Sequence, residues 1–345
     1  MSVLDGPLIR CKRCPSDRSS TRWSPRGYPD EVYQPGSDVA GYTIDALVGS
    51  GSSADVYRVH RGDERTPEAL KVLHSDETGN TRAAERFERE FTIASRLHHP
   101  NIVEMYTRGK IQPDAQTNRR AQALGVPADR VPPTLWIAMQ YVDGPAAVAL
   151  IPSPTTEPAV PTIVHVAKQI AAAIDFAHSR DVLHRDVKPA NILLTSSRPD
   201  TDALLSDFGI AQLVDDNRPL ARNGRVQGSI AYASPELLQA KQLSPATDEY
   251  AFACTLTELL TGAPPYPRAT AFGITNAHLR DDPPLLTRRR PWLPSALNSV
   301  FAKALAKKPA DRYSTCSEFA DIVARNLRDV PVPQPAAGRR PWRRP

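Results

Sequence analysis

The stretch HRDVKPAN, residues 184–191, follows a segment with helical periodicity and precedes the apolar run Ile192-Leu193-Leu194. It therefore lies between a predicted helix and a predicted short strand. Two further strings follow in order along the chain, Asp207-Phe208-Gly209 and Ala233-Ser234-Pro235-Glu236. Each string could arise by chance, but all three in this order and on these elements form a highly specific pattern.

The first half of the chain carries strand patterns. Apolar side chains alternate with others over 42–48, which predicts a half-buried strand. One helix is predicted at 82–97, where apolar residues recur among charges. Two polar, proline-containing stretches, 111–133 and 151–161, have neither a strand period nor a helix period and are predicted to be surface loops. Further strands are predicted at 54–60, 67–73, 102–107 and 135–141.

The second half of the chain carries helix patterns. Apolar residues follow the i, i+3, i+4, i+7 rule over Ile163–Ala177. Another helix is marked by the apolar residues of Phe252–Leu260 and is predicted to end at Gly262. A β-rich part followed by an α-rich part predicts an α+β fold of two lobes, with the chemistry in the cleft between them.

The distribution of charge argues against nucleic acid as a partner. The 345 residues carry a net charge of +5. Residues 329–345 hold four arginines and one aspartate, so the excess lies mainly in a tail and not on a basic face. No apolar stretch reaches the ~18 residues that a membrane helix needs, and the amino terminus has no apolar signal segment. The sequence predicts a cytoplasmic protein with no transmembrane segment.

Four cysteines, Cys11, Cys14, Cys254 and Cys316, give one CxxC pair. A structural zinc site would need a second matched pair. Cys254 and Cys316 do not supply one, since both fall in predicted core helices. The prediction is therefore two unliganded thiols in the amino-terminal tail.

The segment GSGSSA, residues 49–54, lies between two predicted strands. Glycines there let backbone N–H groups approach phosphate oxygens closely. The following residues alternate like a strand instead of opening a helix, which excludes a dinucleotide fingerprint. Alone, the segment is equally typical of an ordinary loop. Lys71, in a mostly apolar strand, gains meaning only if Glu90 pairs with it and holds it toward bound phosphates.

Together these motifs resemble those of the protein kinases of the eukaryotic type, and more closely the bacterial serine/threonine kinases abundant in actinobacteria. The closer resemblance rests on the wording of IAMQYVDG at 137–144, VLHRDVKPANILL at 182–194 and ALAKKPADRYS at 304–314. It covers about 40–328. It implies the two-lobed kinase fold and the transfer of the γ-phosphoryl group of ATP to protein serine or threonine hydroxyls, including those of the kinase itself.

The resemblance implies a catalytic set of four residues. Asp186 would orient the substrate hydroxyl and accept its proton. Lys71, paired with Glu90, would fix the α- and β-phosphates of ATP. Lys188 would neutralise charge on the transferring phosphoryl group, and its presence fits the serine/threonine class better than the tyrosine class.

The resemblance also implies the ligands of the metal and of ATP. Asn191 and Asp207 would hold Mg²⁺, with Mn²⁺ as an alternative, because such ions prefer oxygen ligands. Main-chain groups of the hinge would meet adenine behind a Met139 gatekeeper, between apolar side chains. The residues implied to contact ATP are Val48, Gly49, Ser50, Gly51, Val56, Ala69, Lys71, Gln140, Val142 and Leu193.

Structural roles and a domain division follow from the same resemblance. Glu236 and Arg312 should form a buried ion pair, and Asp248 should tie the catalytic loop to its helix. Ala54 stands where the family usually has a third glycine, which should affect ATP affinity modestly. The resemblance implies a kinase domain at 39–328 (N-lobe 39–139, hinge 140–144, C-lobe 145–328). Composition predicts the tails: residues 1–38, rich in Pro, Ser, Arg and Gly without an apolar period, form a disordered tail, and 329–345 form a second, basic one.

The activation segment departs from the family pattern. Arg185 suggests a loop that is ordered by a phosphate opposite that arginine. Residues 210–228, however, contain no serine, threonine or tyrosine. The nearest hydroxyls are Ser229, Tyr232 and Ser234, close to the expected substrate platform. We predict a kinase that does not depend on phosphorylation within 210–228.

Two other functions remain to be weighed. A catalytically inactive ATP-binding pseudokinase scaffold would typically lack Lys71, Asp186 or Asp207, and all three are present. A small-molecule kinase, such as an antibiotic phosphotransferase, would usually lack the glycine-rich loop and the Pro-Glu activation segment. The implied partners are protein substrates with serine or threonine acceptors. Their identity, the activating signal and a dimer through the N-lobe stay open.

Overall fold

The computed structural model describes most of the chain between residues 33 and 333 and two short strands before it. Arg22–Trp23 and Pro29–Asp30 pair with each other in antiparallel fashion. The described residues are 22–23, 29–30, 33–51, 53–62, 64, 66–74, 81–123, 127, 131–195, 201–208 and 228–333.

The amino-terminal lobe is built on an antiparallel sheet of six strands in the order β1-β2-β3-β4-β6-β5. The helix α1 packs against β5 and β6. The predicted strands and helix are found here, with small shifts at their ends. The elements are β1 (Asp38–Val39), β2 (Tyr42–Ser50), β3 (Ala54–His60), β4 (Glu68–Leu73), α1 (Thr81–Ala94), β5 (Met105–Ile111) and β6 (Thr134–Gln140).

The prediction of a surface loop at 111–133 is wrong in part. β5 extends through Ile111, and a helix, α2 (Ala115–Ala123), follows it. Asp114 caps this helix, since its carboxylate accepts a hydrogen bond from the N–H of Thr117 at 2.7 Å. The helix consists mainly of Ala, Gln and Arg, which are strong helix formers but leave no apolar stripe for a periodicity argument to find.

The carboxy-terminal lobe is helical and carries one small antiparallel hairpin, β7–β8. Its central helix, α5, is buried along nearly its whole length and packs against α3 and α8. Within the described ranges, no helix combines the length and the apolar character needed to cross a membrane. The elements are α3 (Val160–His178), β7 (Ile192–Leu194), β8 (Ala203–Leu205), α4 (Pro235–Leu238), α5 (Pro245–Thr261), α6 (Ala271–Arg280), α7 (Leu286–Arg289), α8 (Ala296–Ala304) and α9 (Cys316–Leu327).

Among the described residues, the backbone connects the lobes at the hinge and at a short pairing beside β8, with the cleft between the lobes. The hinge follows β6. The pairing lies where Ile102 and Val103 run beside β8: the Val103 N–H donates to the Leu205 carbonyl at 3.0 Å, and Leu205 donates to Asn101 at 2.9 Å. This pairing explains why the strand predicted at 102–107 begins only at Met105, because residues 102 and 103 pair with the other lobe.

The chain before β1 packs on the sheet. The N–H of Gly36 donates to Ile44 at 2.8 Å, and the N–H of Ile44 donates to Ser37 at 2.9 Å. The ring of Tyr33 meets Tyr57 edge-on, with 5.7 Å between centroids. The lobe boundary predicted at residue 39 therefore falls inside β1, and the residues just before it contact the lobe.

Gly144 allows the chain after the hinge to pass close to β7. A Cβ atom at this position would lie 2.0 Å from the carbonyl oxygen of Leu194. The backbone has little freedom to retreat, because Leu194 donates to Pro145 at 2.9 Å. We expect Gly144→Ala to lower the free energy of unfolding by about 2 kcal/mol, measured by urea denaturation. Gly49→Ala is the control, since its Cβ would meet nothing nearer than Val56 at 3.9 Å; equal stability losses would contradict the prediction.

Candidate active site

Lys71, in β4, holds its ammonium between two carboxylates. Its Nζ lies 2.8 Å from Oε1 of Glu90, in α1, and 2.7 Å from Oδ1 of Asp207, which follows β8. The side chains of Lys71 and Glu90 are 15% and 13% exposed, whereas that of Asp207 is 45% exposed. Because Asp207 belongs to the carboxy-terminal lobe, the ammonium joins both lobes at the cleft, with Asp207 on the open side.

Lys71, Glu90 and Asp207 shift one another's pKa values. Burial alone would lower the pKa of Lys71, but the carboxylates of Asp207 and Glu90 outweigh it and raise that pKa. The charge of Lys71 holds the pKa of Asp207 below its ordinary value. Burial raises the pKa of Glu90 against the attraction of Lys71. At neutral pH the cleft therefore presents a fixed cation beside an ionised aspartate.

Asp186, Lys188 and Asn191 meet at one carboxylate. Oδ2 of Asp186 accepts from Nζ of Lys188 at 2.6 Å and from Nδ2 of Asn191 at 3.0 Å. The Asn191 amide also donates to the main-chain carbonyl of Asp186 at 2.9 Å. A 3₁₀ turn, Pro189–Asn191, folds the asparagine back onto the aspartate. Two donors thus fix the orientation of the carboxylate. A general base needs such a fixed orientation, because it must accept a proton from one direction.

Asp248, fully buried in α5, fixes the start of the loop 184–191 by hydrogen bonds. Its carboxylate accepts the N–H of His184 at 2.8 Å and the N–H of Arg185 at 2.6 Å. It also lies 2.8 Å from Nε2 of His178, at the end of α3. Burial would raise the pKa of Asp248, but the hydrogen bonds and charge of His178 lower it, so its carboxylate stays ionised.

The segment after β8, residues 206–208, is hydrogen-bonded to the loop 184–191. The N–H of Ser206 donates to the carbonyl of Asn191 at 2.9 Å. Nε2 of His184 lies 3.0 Å from the carbonyl oxygen of Ser206, and the ring of Phe208 lies 4.7 Å from the imidazole. These contacts hold Asn191 and Asp207 to one another through buried backbone.

Two non-glycine residues of the site adopt left-handed backbone. Arg185 has φ +66° and Asp207 has φ +55°. This conformation is unfavourable for side chains with a Cβ, by about 1–2 kcal/mol each. The carboxylate of Asp248 accepts the N–H of Arg185, and the ammonium of Lys71 contacts the carboxylate of Asp207. These contacts hold both residues in the strained conformation.

The predicted phosphate-binding segment forms the tip of the β2–β3 hairpin. The strands stay paired as far as Ser50 and Asp55, and the N–H of Gly51 then donates to the carbonyl of Ala54 at 2.9 Å. Val48, at the start of the predicted ATP contacts Val48–Gly51, is 48% exposed. The tip therefore presents backbone and small side chains to the solvent at the cleft.

The hinge residues follow β6. Met139 is buried and lies opposite Ala69 of β4 in the sheet register. The N–H of Gln140 donates to the carbonyl of Glu104 at 2.8 Å, so this N–H is already engaged within the protein. Three further predicted contacts are half-buried at the edge of the main core: Val56, Val142 and Leu193.

The donor set fits a divalent cation with oxygen ligands. Asp207 offers an ionised carboxylate. Asn191 spends its amide nitrogen on Asp186, which leaves its amide oxygen for a metal. Mg²⁺ accepts a carboxylate oxygen and an amide oxygen as ligands, with water and phosphate oxygens in its remaining positions.

Glu236, in α4, and Arg312 form a bidentate ion pair inside the carboxy-terminal lobe. The two guanidinium nitrogens lie 2.8 and 2.9 Å from the two carboxylate oxygens. The side chains are 0% exposed for Arg312 and 4% for Glu236. Burial would raise the pKa of Glu236, but its bonds to Arg312 lower it. The expected buried pair is present.

Some predicted features lie outside the described residues. These are Gly209, the stretch 210–227 of the activation segment, and the thiols Cys11 and Cys14. Cys254 and Cys316 lie inside helices, and burial raises the pKa of both thiols. Sequence reasoning missed His178, the third partner of Asp248; its position at the end of a predicted amphipathic helix was the only signal available.

Comparison with known proteins agrees with this geometry. Residues 42–324 match the family described as the protein kinase domain. Serine/threonine-protein kinase PknF of Mycobacterium tuberculosis is 38% identical over 318 residues, which cover 90% of this chain and 62% of PknF. PknJ of the same species is 37% identical over 295 residues, covering 85% of this chain and 46% of PknJ. The crystal structure of the M. tuberculosis PknI kinase domain aligns with a TM-score of 0.62 and 33% identity, covering 86% of this chain and all of that one. The chain spans less than two thirds of the length of PknF and PknJ.

Proposed function

The chain belongs to the protein kinase domain family, with bacterial serine/threonine kinases among its relatives, and from this premise we propose that it transfers the γ-phosphoryl group of ATP to serine and threonine hydroxyls of proteins. The observation that carries the proposal is the bridge made by Lys71, whose ammonium contacts Glu90 at 2.8 Å and Asp207 at 2.7 Å. Phosphoryl transfer in this family requires the pair that Lys71 makes with Glu90, and it requires an aspartate in the position of Asp207 to hold a metal ion.

Asp186 is the proposed base. Held by Lys188 and Asn191, its carboxylate orients the acceptor hydroxyl and takes its proton as the hydroxyl oxygen bonds to the γ-phosphorus of ATP and the bond from that phosphorus to the β,γ-bridging oxygen breaks, which releases ADP. Lys188 supplies positive charge beside the phosphoryl group in transfer. Lys71, held by Glu90, binds the α- and β-phosphates.

Asn191 and Asp207 are the proposed ligands of Mg²⁺, or of Mn²⁺. A divalent ion held there neutralises phosphate charge when ATP is bound. The backbone of Gly49–Gly51 approaches the phosphates, and the carbonyl of Gln140 and the main chain of Val142 meet adenine. We place this activity in the cytoplasm, where ATP is available, and propose that it needs no phosphorylation within 210–228.

The pseudokinase alternative is disfavoured by these contacts. A scaffold has no need for Asp186 to be oriented by two donors, nor for Asp207 to stay ionised in an open position. The small-molecule kinase alternative is disfavoured by the glycine-rich segment 49–54 and by the motif Pro235-Glu236, both of which such kinases usually lack. Glu236 is held here in a buried pair with Arg312.

Phosphate incorporation into a generic basic protein tests the proposal. With radiolabelled ATP and Mg²⁺, we expect label in the protein, on serine and threonine when its amino acids are separated. Chelation by EDTA should abolish labelling, and excess Mg²⁺ should restore it, because Asn191 and Asp207 need the ion to neutralise the phosphates. ATP binding without labelling of any protein would instead support the scaffold, and label in a small aminoglycoside but in no protein would support the small-molecule kinase.

A further inference from the structure

A buried acid–base pair lies beneath the phosphate-binding tip and has no part in the mechanism above. Asp55, the second residue of β3, is 6% exposed. Its Oδ1 lies 3.2 Å from Nε2 of His74, the residue after β4. We propose that Asp55 and His74 are positioning residues that fix the hairpin tip in the form that binds ATP phosphates. This inference rests on the proposed kinase function.

His74 contacts the tip at two points. Its N–H donates to the carbonyl of Ser53 at 2.8 Å, and its imidazole reaches Asp55. These contacts lie on either side of Ala54, whose carbonyl accepts the bond that closes the turn from Gly51. One residue outside the hairpin thus holds the chain immediately before and immediately after the point where β3 begins.

The burial of Asp55 makes this contact decisive for the tip. Oδ1 of Asp55 has no hydrogen-bond partner among the residues that the structure describes, and the imidazole of His74, 3.2 Å away, is the polar group that faces it. A buried polar atom without a hydrogen bond is unfavourable, so the imidazole of His74 is the polar neighbour that favours the inward position of the Asp55 side chain. Tyr57, two residues along β3, lies on the same side; burial raises the pKa of its phenol, and the carboxylate of Asp55 adds to the effect.

A loss of the pair should weaken ATP binding more than it slows phosphoryl transfer. Without the imidazole, the carboxylate would turn toward water and take the tip with it, and ATP would have to order the tip on binding. Asp186, Lys188 and Asn191 lie in the other lobe and depend on neither residue. The expected signature is a raised KM and Kd for ATP, with kcat at saturating ATP nearly unchanged.

Comparing Asp55→Asn with His74→Gln shows whether the pair positions the tip or whether Asp55 acts only through its negative charge near the phosphates. If Asp55 acted only as a negative charge near the phosphates, Asp55→Asn would tighten ATP binding while His74→Gln weakened it. Positioning predicts that both variants weaken it, by about fivefold each. The double variant should be no weaker than the worse single variant, and His74→Arg, whose guanidinium can still contact the Asp55 carboxylate, should lose much less affinity than His74→Gln. Isothermal titration with Mg²⁺–ATP gives Kd, and steady-state assays give kcat and KM.

The pair Asp45–His60 offers a matched control. These side chains lie 2.8 Å apart on β2 and β3 of the same sheet but are 31% and 32% exposed. Asp45→Asn and His60→Gln should leave the Kd for ATP unchanged. Unchanged affinity in both Asp55→Asn and His74→Gln, tighter binding by Asp55→Asn, or equal losses in the control variants would overturn the inference. Failure of the unaltered protein to bind ATP would instead refute the proposed function.

Discussion

Asp186→Asn is expected to lower kcat for protein phosphorylation by about a thousandfold while it leaves the Kd for ATP within about twofold. The amide cannot take the proton of the acceptor hydroxyl. Its oxygen can still accept the bonds that Lys188 and Asn191 give to Oδ2 in the native protein, at 2.6 and 3.0 Å, so the loop should keep its shape. Initial rates of phosphate incorporation at saturating ATP, with ATP affinity by titration, measure the two effects.

Asp181→Asn is the control for this variant. Asp181 lies five residues earlier, is exposed and has φ +57°, a conformation that asparagine tolerates well. It should keep full activity. A rate for Asp186→Asn above a tenth of the native rate would remove the carboxylate from the role of base.

Arg312→Met is expected to lower the free energy of unfolding by about 3–5 kcal/mol. The change leaves the buried carboxylate of Glu236 without its cation and removes donors from the carbonyls of Ala246 and Ala306, at 2.6 and 2.9 Å. Methionine fills much of the volume, so the loss is electrostatic and not a cavity effect. Urea unfolding followed by tryptophan fluorescence measures it.

The dependence of this loss on pH identifies its cause. In the native protein Glu236 has a lowered pKa, so its pairing contributes stability above the ordinary glutamate range that is lost as pH falls. In Arg312→Met, burial without the arginine would raise that pKa, so the deficit should shrink as the pH falls and Glu236 becomes neutral. A deficit that does not change with pH would contradict the electrostatic explanation.

A surface pair supplies the control for Arg312→Met. Arg268 and Asp281 lie 2.8 Å apart with side chains 48% and 39% exposed. Arg268→Met should change stability by less than about 1 kcal/mol, because exposed ion pairs contribute little. Comparable losses for both arginines would show that burial of the pair is not what matters.

Much of the candidate site could be predicted from the sequence because its chemistry leaves local strings. Asp186, Lys188 and Asn191 fall within one short loop, and Asp207 opens another. Side chains within such a loop can meet only at certain spacings along the chain. The spacing of the residues in the sequence therefore predicts which side chains lie together. Lys71 was conspicuous as a charge in an apolar strand, and Glu90 was its candidate partner from a charged predicted helix, a pairing that the family resemblance then supported.

Pairings between distant elements could not be predicted in the same way. Asp55 and His74 are single polar residues at strand ends, and no local pattern indicates which neighbour each one meets. The bond between His178 and Asp248 joins residues from two helices, and it depends on how those helices pack. The helix at Ala115–Ala123 was missed for a different reason, since it lacks an apolar face and so lacks the period that identifies helices.

The left-handed backbone at Arg185 and Asp207 has a consequence for engineering. Natural proteins can usually be made more heat-resistant by relieving such strain, and glycine is the obvious replacement where φ is positive. At Asp207 this replacement would remove the carboxylate that Lys71 contacts, so selection for thermal resistance and selection for turnover would favour opposite residues there. A library screened on melting temperature alone would therefore accumulate inactive proteins at this position, while one screened on turnover would keep the strained aspartate.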